Sequence, residues 1–184
     1  SNPVAMVRKP SPPPGRSRVL SAEEEHRLLE AAAPLGRRSP WLVPAIVISL
    51  ETAMRRGELL ALKWDDVDLP RRLAYLRMTK NGTARFVPLS SKAIATLSDM
   101  SRSPDGRVIP MAAASLTKAF ERARVRADLP DFRWHDLRHT WASHLAQRGV
   151  SDRHLQELGG WKDGKMVQRY SKLKVEHLLE AVNR

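Results

Sequence analysis

His135-Asp136-Leu137-Arg138-His139 is the stretch on which the reading of this chain turns. A helix expected over residues 134–148, ended by Gly149, places His135, Arg138, His139 and Ala142 on one face. Leu137, Trp141 and Leu145 form a second stripe with the composition of core. The first face sets a titratable imidazole beside a guanidinium fork, a combination suited to two oxygens of one phosphate. His and Arg on a helix are more often solvated surface, and in isolation the motif would be read that way. Zinc binding by His135 and His139 is disfavoured, because no Glu follows the first His and no third ligand stands nearby.

Outward from this motif lie other chemistry-bearing residues. Thr52-Ala53-Met54-Arg55-Arg56-Gly57-Glu58-Leu59-Leu60 follows the longest apolar run, residues 41–50, which reads as a buried helix. Glu58 stands one helical turn beyond Arg55, where a carboxylate can hold a guanidinium; alone, such a pair is worth little. Lys80 precedes Asn81-Gly82, a strong hairpin signal between strands expected at 73–78 and 84–89, so its ammonium sits at a sheet tip. Trp161 closes Leu158-Gly159-Gly160-Trp161, and Tyr170 follows nine positions later as one of only two tyrosines. A phenol has a pKa of about 10 and needs cations and a proton acceptor nearby to act as a nucleophile at neutral pH.

The order, spacing and flanking residues of Arg55, Lys80, His135, Arg138, Trp161 and Tyr170 resemble the catalytic domain of the tyrosine recombinases, the phage-integrase family, over roughly residues 20–184. Two positions depart from the family pattern: Ala53 stands in the usual Gly place, and Trp161 where most members carry His. The resemblance implies a DNA recombinase that cuts and rejoins strands without metal, cofactor or ATP. Tyr170 would attack a DNA phosphorus to give a 3′-phosphotyrosine, with Arg55 and Arg138 neutralising the non-bridging oxygens. His135 would assist proton removal from Tyr170, and Lys80 would protonate the departing 5′-oxygen. An indole cannot transfer a proton at neutral pH, so Trp161 would position the phosphate or pack the Tyr170 helix. Glu58 and His139 would support the site. The implied partner is double-stranded DNA, with four copies assembling on it through residues 172–184 and a monomer without it. Two alternatives are a recombinase-like DNA-binding domain without catalysis and a type IB topoisomerase. The His-x-x-Arg-His and Gly-Gly-Trp contexts are less similar to the latter.

Composition agrees with a polyanion partner. The 184 residues carry a formal charge of +12 and a pI near 10.8, and such an excess gains affinity by releasing counterions from phosphates. Hydrophobic content of 42% with 28% charged residues is that of a globular domain. There is no cysteine, which excludes disulfides and thiolate metal sites. No apolar run suffices for a membrane span and no signal peptide is evident, so the cytoplasm of a bacterium, or of a phage's host, is expected.

Residues 1–19, rich in Pro, Ser and Arg, read as a basic arm or interdomain linker, and 20–184 as the catalytic domain. The N-terminal core-binding domain of full-length members is absent from this stretch, which reads as a fragment. Ser21 and Glu24 form a capping box for a helix at 23–33, and Ser39 caps the next with Pro40 at its first position. Further helices are expected at 91–100, 115–128, 151–158, 165–173 and 175–182, and a short third strand at 65–68. The expected fold is therefore mainly α with one small antiparallel three-stranded β-sheet. The Arg-, Ala- and Leu-rich composition leans toward a prophage or mobile-element integrase.

Overall fold

Among the residues that the computed structural model describes, 18–34, 40–77 and 84–170, helices surround one small sheet. Helix α1 (Ala22–Ala32) opens on the expected capping box: Ser21 Oγ accepts from the Glu24 N–H at 3.1 Å, and the Glu24 carboxylate accepts from the Ser21 N–H at 3.0 Å. Residues 1–17 of the expected arm lie outside the described residues. Arg18 is already tied down, pairing with Glu24 at 2.6 and 2.9 Å and lying over the Phe132 ring at 5.7 Å. The Leu20 N–H donates to Thr140 Oγ1 at 3.0 Å, anchoring the entry segment to the helix that carries the His135 motif.

That anchor has a pH signature. Hydrogen bonds from Arg18 outweigh the cost of burial and hold the Glu24 carboxyl down at about 2, from an ordinary 4.5. A carboxyl whose pKa falls on folding stabilises the fold above its unfolded pKa and loses that contribution as the pH drops through its folded pKa. The melting temperature should therefore decline between about pH 4.5 and pH 2, and Glu24→Gln should flatten part of that decline in a thermal-melt series. An unchanged slope would place the acid sensitivity elsewhere.

Helix α2 (Leu42–Thr52) runs through the centre, with Ala45, Ile46 and Ile48 fully buried, and packs against α1 and against the helices formed by Ser91–Ser98 and Trp134–Gln147. It starts later than the expected Ser39-Pro40 cap. Trp41 occupies the cap position but its side chain does not cap the helix, and Ser39 lies outside the described residues. Pro44 supplies the reason: a helix beginning at Pro40 would need an N–H at position 44, whereas from Leu42 that missing donor falls among the first-turn N–H groups that have no helical partner. Helix α3 (Arg56–Ala61) follows after Ala53 turns the chain through a left-handed conformation, φ 54°.

The sheet has order β1-β2-β3, all antiparallel. Strands β2 (Leu73–Leu76) and β3 (Arg85–Pro88) form the hairpin, with Tyr75 opposite Phe86 on the outer face and Ala74, Leu76 and Val87 turned inward. The Asn81-Gly82 turn and Lys80 lie outside the described residues. The expected third strand shrinks to β1 (Val67–Asp68), because Trp64–Asp66 winds into a single 3-10 turn that buries the Trp64 indole. Helices α4 (Ser91–Ser98), α5 (Ala113–Arg126), α6 (Trp134–Gln147) and α7 (Asp152–Gly159) fall close to the predicted spans. Helix α8 covers Lys165–Gln168 of the expected 165–173, and residues 171–184 are outside the described set.

Two apolar clusters meet at α6. The larger lies under α1, α2, α4, α5 and the sheet and takes in Leu137; the smaller holds Ala53, Trp141, Ala142, Ala146, Leu155, Val167 and Tyr170. The stripe expected to be one core face is therefore divided. The opposite face is no solvated surface either, since Arg138 and His139 are buried with it. Helix α6 is a wall between clusters, and its polar face lines the site.

Candidate active site

The N-terminus of α3 is built around one buried carboxylate. Arg55 is the cap residue, and its own N–H and Nη1 each reach Glu58, at 2.8 Å to Oε2 and 2.8 Å to Oε1. Arg85, from β3, binds the same carboxylate from the other side, Nη1 to Oε1 at 2.8 Å and Nη2 to Oε2 at 3.2 Å. Burial would raise the Glu58 pKa, but the hydrogen bonds and charges of Arg85 and Arg55 prevail and hold it below the usual carboxylate range. Arg55 Nη2 is left to reach across to the Gly160 carbonyl at 3.2 Å. Arg56 turns away to Thr117 Oγ1 at 2.6 Å, so of the two adjacent arginines it is Arg55 whose guanidinium reaches Gly160.

Arg138 comes up from α6 onto the same corner. Its Nη1 donates to the Ala53 carbonyl at 2.6 Å, and its guanidinium lies 4.0 Å from the centre of the Trp161 ring. Its Nη2 is buried with no hydrogen-bond partner among the described residues. Burial, reinforced by the charges of Arg55 and Arg85, pushes its pKa down to about 9, so the group stays cationic at neutral pH but is poorly compensated. A donor left in that state favours an arriving anion.

Gly159 and Gly160, where the helix Asp152–Gly159 ends, also serve as spaces. Gly160 takes φ 65°, and a Cβ there would sit 2.9 Å from Arg85 Cζ. A Cβ on Gly159 would lie 2.1 Å from Trp161 Cζ3, so the indole folds directly over bare backbone. Gly159→Ala should displace the indole from beneath Arg138, costing about 1–3 kcal/mol as overpacking does and changing tryptophan fluorescence. A variant with unaltered melting and emission would show that the ring can yield at no cost.

Tyr170 is 3% exposed, and its hydroxyl lies 2.5 Å from His139 Nδ1. Burial pushes the phenol up to about 12 and the His139 imidazole down to about 4, so at neutral pH a protonated phenol donates to a neutral imidazole. The sequence reading assigned proton removal to His135, yet His139 is the histidine brought to the phenol. His135 stands one ring further out, edge to face with His139 at a centroid distance of 4.9 Å. It keeps an edge open to solvent; crowding by protein on its other sides, and then the Arg138 charge, lower its pKa. Trp161 is 6.3 Å from both the Trp141 and Tyr170 rings, which links the arginine corner to the phenol.

Of the expected site residues, Arg55, Glu58, His135, Arg138, His139, Trp161 and Tyr170 gather at one place, and Lys80 lies outside the described residues. Arg85 was missed as a site residue. Its signal was strand parity: Arg85 and Val87 are two apart and share a face, so an inward Val87 makes Arg85 inward and in need of an acid.

A mainly helical domain with one small sheet thus brings three arginines, two histidines, an indole and a phenol to a single corner. The chain belongs to the phage integrase family, whose model matches residues 18–177. A shufflon-specific DNA recombinase of Escherichia coli is 35% identical over 184 residues, covering 100% of this chain and 47% of that protein. The integrase of Salmonella phage P22 is 33% identical over 194 residues, covering 95% and 49%. The chain spans about half the length of these relatives. Among solved structures, the catalytic domain of bacteriophage HP1 integrase matches with a TM-score of 0.71 and 29% identity, over 91% of this chain and 95% of that one. A lambda integrase tetramer bound to a Holliday junction matches with a TM-score of 0.70 and 26% identity, over 92% and 52%. The fold expected from sequence, that of a tyrosine recombinase catalytic domain, is the one observed.

Proposed function

We propose that this chain is the catalytic part of a site-specific DNA recombinase, encoded by a prophage or mobile element, that cleaves and rejoins strands through Tyr170. The observation that carries this reading is the convergence at Gly160-Trp161. Arg55 bonds the Gly160 carbonyl, Arg138 lies on the Trp161 ring, and the Tyr170 ring is 6.3 Å from that indole. A phosphodiester entering there meets two guanidinium groups, one with a free buried donor.

In the reaction, the Tyr170 oxygen forms a bond to phosphorus while the bond to the 5′-oxygen breaks, leaving a 3′-phosphotyrosine and a 5′-hydroxyl. A 5′-hydroxyl from another duplex reverses the exchange, so the bond count is conserved and no external energy source enters. Arg55 and Arg138 stabilise charge on the non-bridging oxygens of the pentacoordinate state. His139 holds the phenol at rest, buried and protonated; Tyr170 leaves that contact to reach the phosphate, where His135 at the open rim takes its proton. Lys80, which the family resemblance places at the leaving oxygen, completes the transfer, and Trp161 supports Arg138. Duplex DNA as partner and assembly of four copies are supported by the likeness to lambda integrase, seen as a dimer bound to a COC′ core site and as a tetramer bound to a Holliday junction; residues 172–184, outside the described residues, are the segment proposed to join the copies. The reaction belongs in the cytoplasm, where the DNA is; no helix among the described residues is long and apolar enough to cross a membrane.

Incubation with a nicked duplex carrying the attachment sequence, followed by a denaturing gel, tests the proposal. A covalent protein–DNA adduct is the expected outcome. Salt-sensitive binding without an adduct would favour a non-catalytic DNA-binding domain, and relaxation of supercoils without paired sites a topoisomerase.

A further inference from the structure

We propose that Arg85 is a positioning residue that keeps Arg55 and the charge of the site available to the phosphate; this deepens the recombinase reading and rests on it. The Glu58 carboxylate shows how. Each of its two oxygens accepts one hydrogen bond from Arg55 and one from Arg85: Oε1 from the two Nη1 atoms, Oε2 from the Arg55 N–H and from Arg85 Nη2. A carboxylate has about four lone-pair positions, so this one is saturated. Arg55 therefore spends one guanidinium nitrogen on Glu58 and keeps Nη2 directed at Gly160, toward the corner where the phosphate is placed.

Without Arg85 the balance changes. Glu58 is only 3% exposed and would have two unfilled acceptor positions that water reaches poorly. The nearest donor able to fill them is Arg55, which would turn to a two-pronged grip and withdraw Nη2 from the corner. The net charge also changes. Arg55, Arg85, Arg138 and Glu58 together carry +2, whereas loss of Arg85 leaves +1. A phosphodiester under attack by an oxyanion becomes a pentacoordinate dianion, and +2 matches it. The Arg85 guanidinium is fixed for this role: its side chain is 12% exposed and it rests against the backbone of Gly160, where no Cβ would fit. One side chain from the hairpin thus touches both the α3 terminus and the corner between α7 and α8.

A residue that merely held the hairpin in place would slow cleavage of any substrate alike, whereas one that maintains positive charge matters less when the substrate carries less negative charge. The test is single-turnover cleavage of a nicked duplex with either a normal phosphodiester or a neutral methylphosphonate at the scissile position. Wild type, Arg85→Gln and Arg85→Lys are compared, with Tyr170→Phe as the blank. Arg85→Gln should cleave the phosphodiester about tenfold to 10²-fold more slowly than wild type, less than the about 10²–10³ lost when a donor aimed directly at the reacting oxygens is removed. Its duplex affinity should stay close to wild type, and the deficit should shrink on the methylphosphonate. Arg85→Lys, which keeps the charge but not the fork, should fall between the two. Should the glutamine variant fail to fold, the lysine variant carries the same comparison with a smaller deficit. Equal deficits on both substrates, or none on the phosphodiester, would overturn the proposal. Absence of an adduct with the wild-type chain would instead overturn the recombinase reading, and this inference with it.

Discussion

Tyr170→Phe is expected to abolish the covalent protein–DNA adduct outright while leaving the fold and duplex binding in place. The phenylalanine ring fills the same space in the cluster formed with Trp141, Val167 and Leu155, so packing is kept. What disappears is the hydroxyl, which is both the attacking atom and the partner of His139 Nδ1 at 2.5 Å. Leaving that buried nitrogen unpaired costs about 1–3 kcal/mol, so a modest fall in melting temperature should accompany the chemical silence. With the phenol pushed up to about 12, only about one molecule in 10⁵ carries the phenolate at pH 7 in the buried arrangement. In the proposed reaction the hydroxyl leaves this contact for the arginines, where a base takes its proton during attack. An adduct persisting in the Phe variant would move the nucleophile elsewhere. Tyr75, the other tyrosine, packs against Phe86 on the outer face of the sheet, ring centroids 4.9 Å apart.

Arg138→Lys should cut strand cleavage by about 10²–10³, the range found for removing one well-aimed electrostatic donor. Three demands meet on this guanidinium: Nη1 donates to the Ala53 carbonyl at 2.6 Å, the flat face lies 4.0 Å from the Trp161 ring centre, and Nη2 remains for the ligand. An ammonium is a single point and cannot meet all three. The surroundings that bring Arg138 down from 12.5 to about 9 would also act on a lysine, whose ordinary pKa is only about 10.4. Its charge would then be partly lost near neutral pH. The residual activity of the lysine variant should accordingly decline as pH rises through neutrality, where wild-type activity holds. A lysine variant that matches wild type in rate and pH profile would show that the planar fork is not needed.

Local rules carried the sequence reading a long way. The Ser21–Glu24 capping box, the hairpin strands on either side of Asn81-Gly82, and the helical spacing of His135, Arg138 and His139 each depend on residues a few positions apart, where backbone geometry leaves little choice. The arginines and the tyrosine were therefore recognisable as a set before any fold was known. Helical spacing shows which residues share a face but not what that face meets. That is why α6 was read as one core stripe and one active face, although it divides two clusters and buries both.

The decisive contacts join residues far apart in the chain. His139 meets Tyr170, Arg85 meets Glu58, Arg55 meets Gly160, and Arg138 meets the carbonyl of Ala53. Each depends on how α3, α6, β3 and the Gly159-Gly160 corner settle against one another, and a one-dimensional pattern does not encode that. The choice of His139 over His135 follows from the position α8 gives to Tyr170, a consequence of Val167 packing into the smaller cluster with Leu155 and Ala146. The sequence by itself thus determined the family, the elements and the chemical groups available. Only the tertiary structure decided which histidine holds the phenol, that a second arginine shares the Glu58 carboxylate, and that two glycines leave room for an indole and a guanidinium, because those outcomes depend on packing between surfaces that local sequence does not bring together.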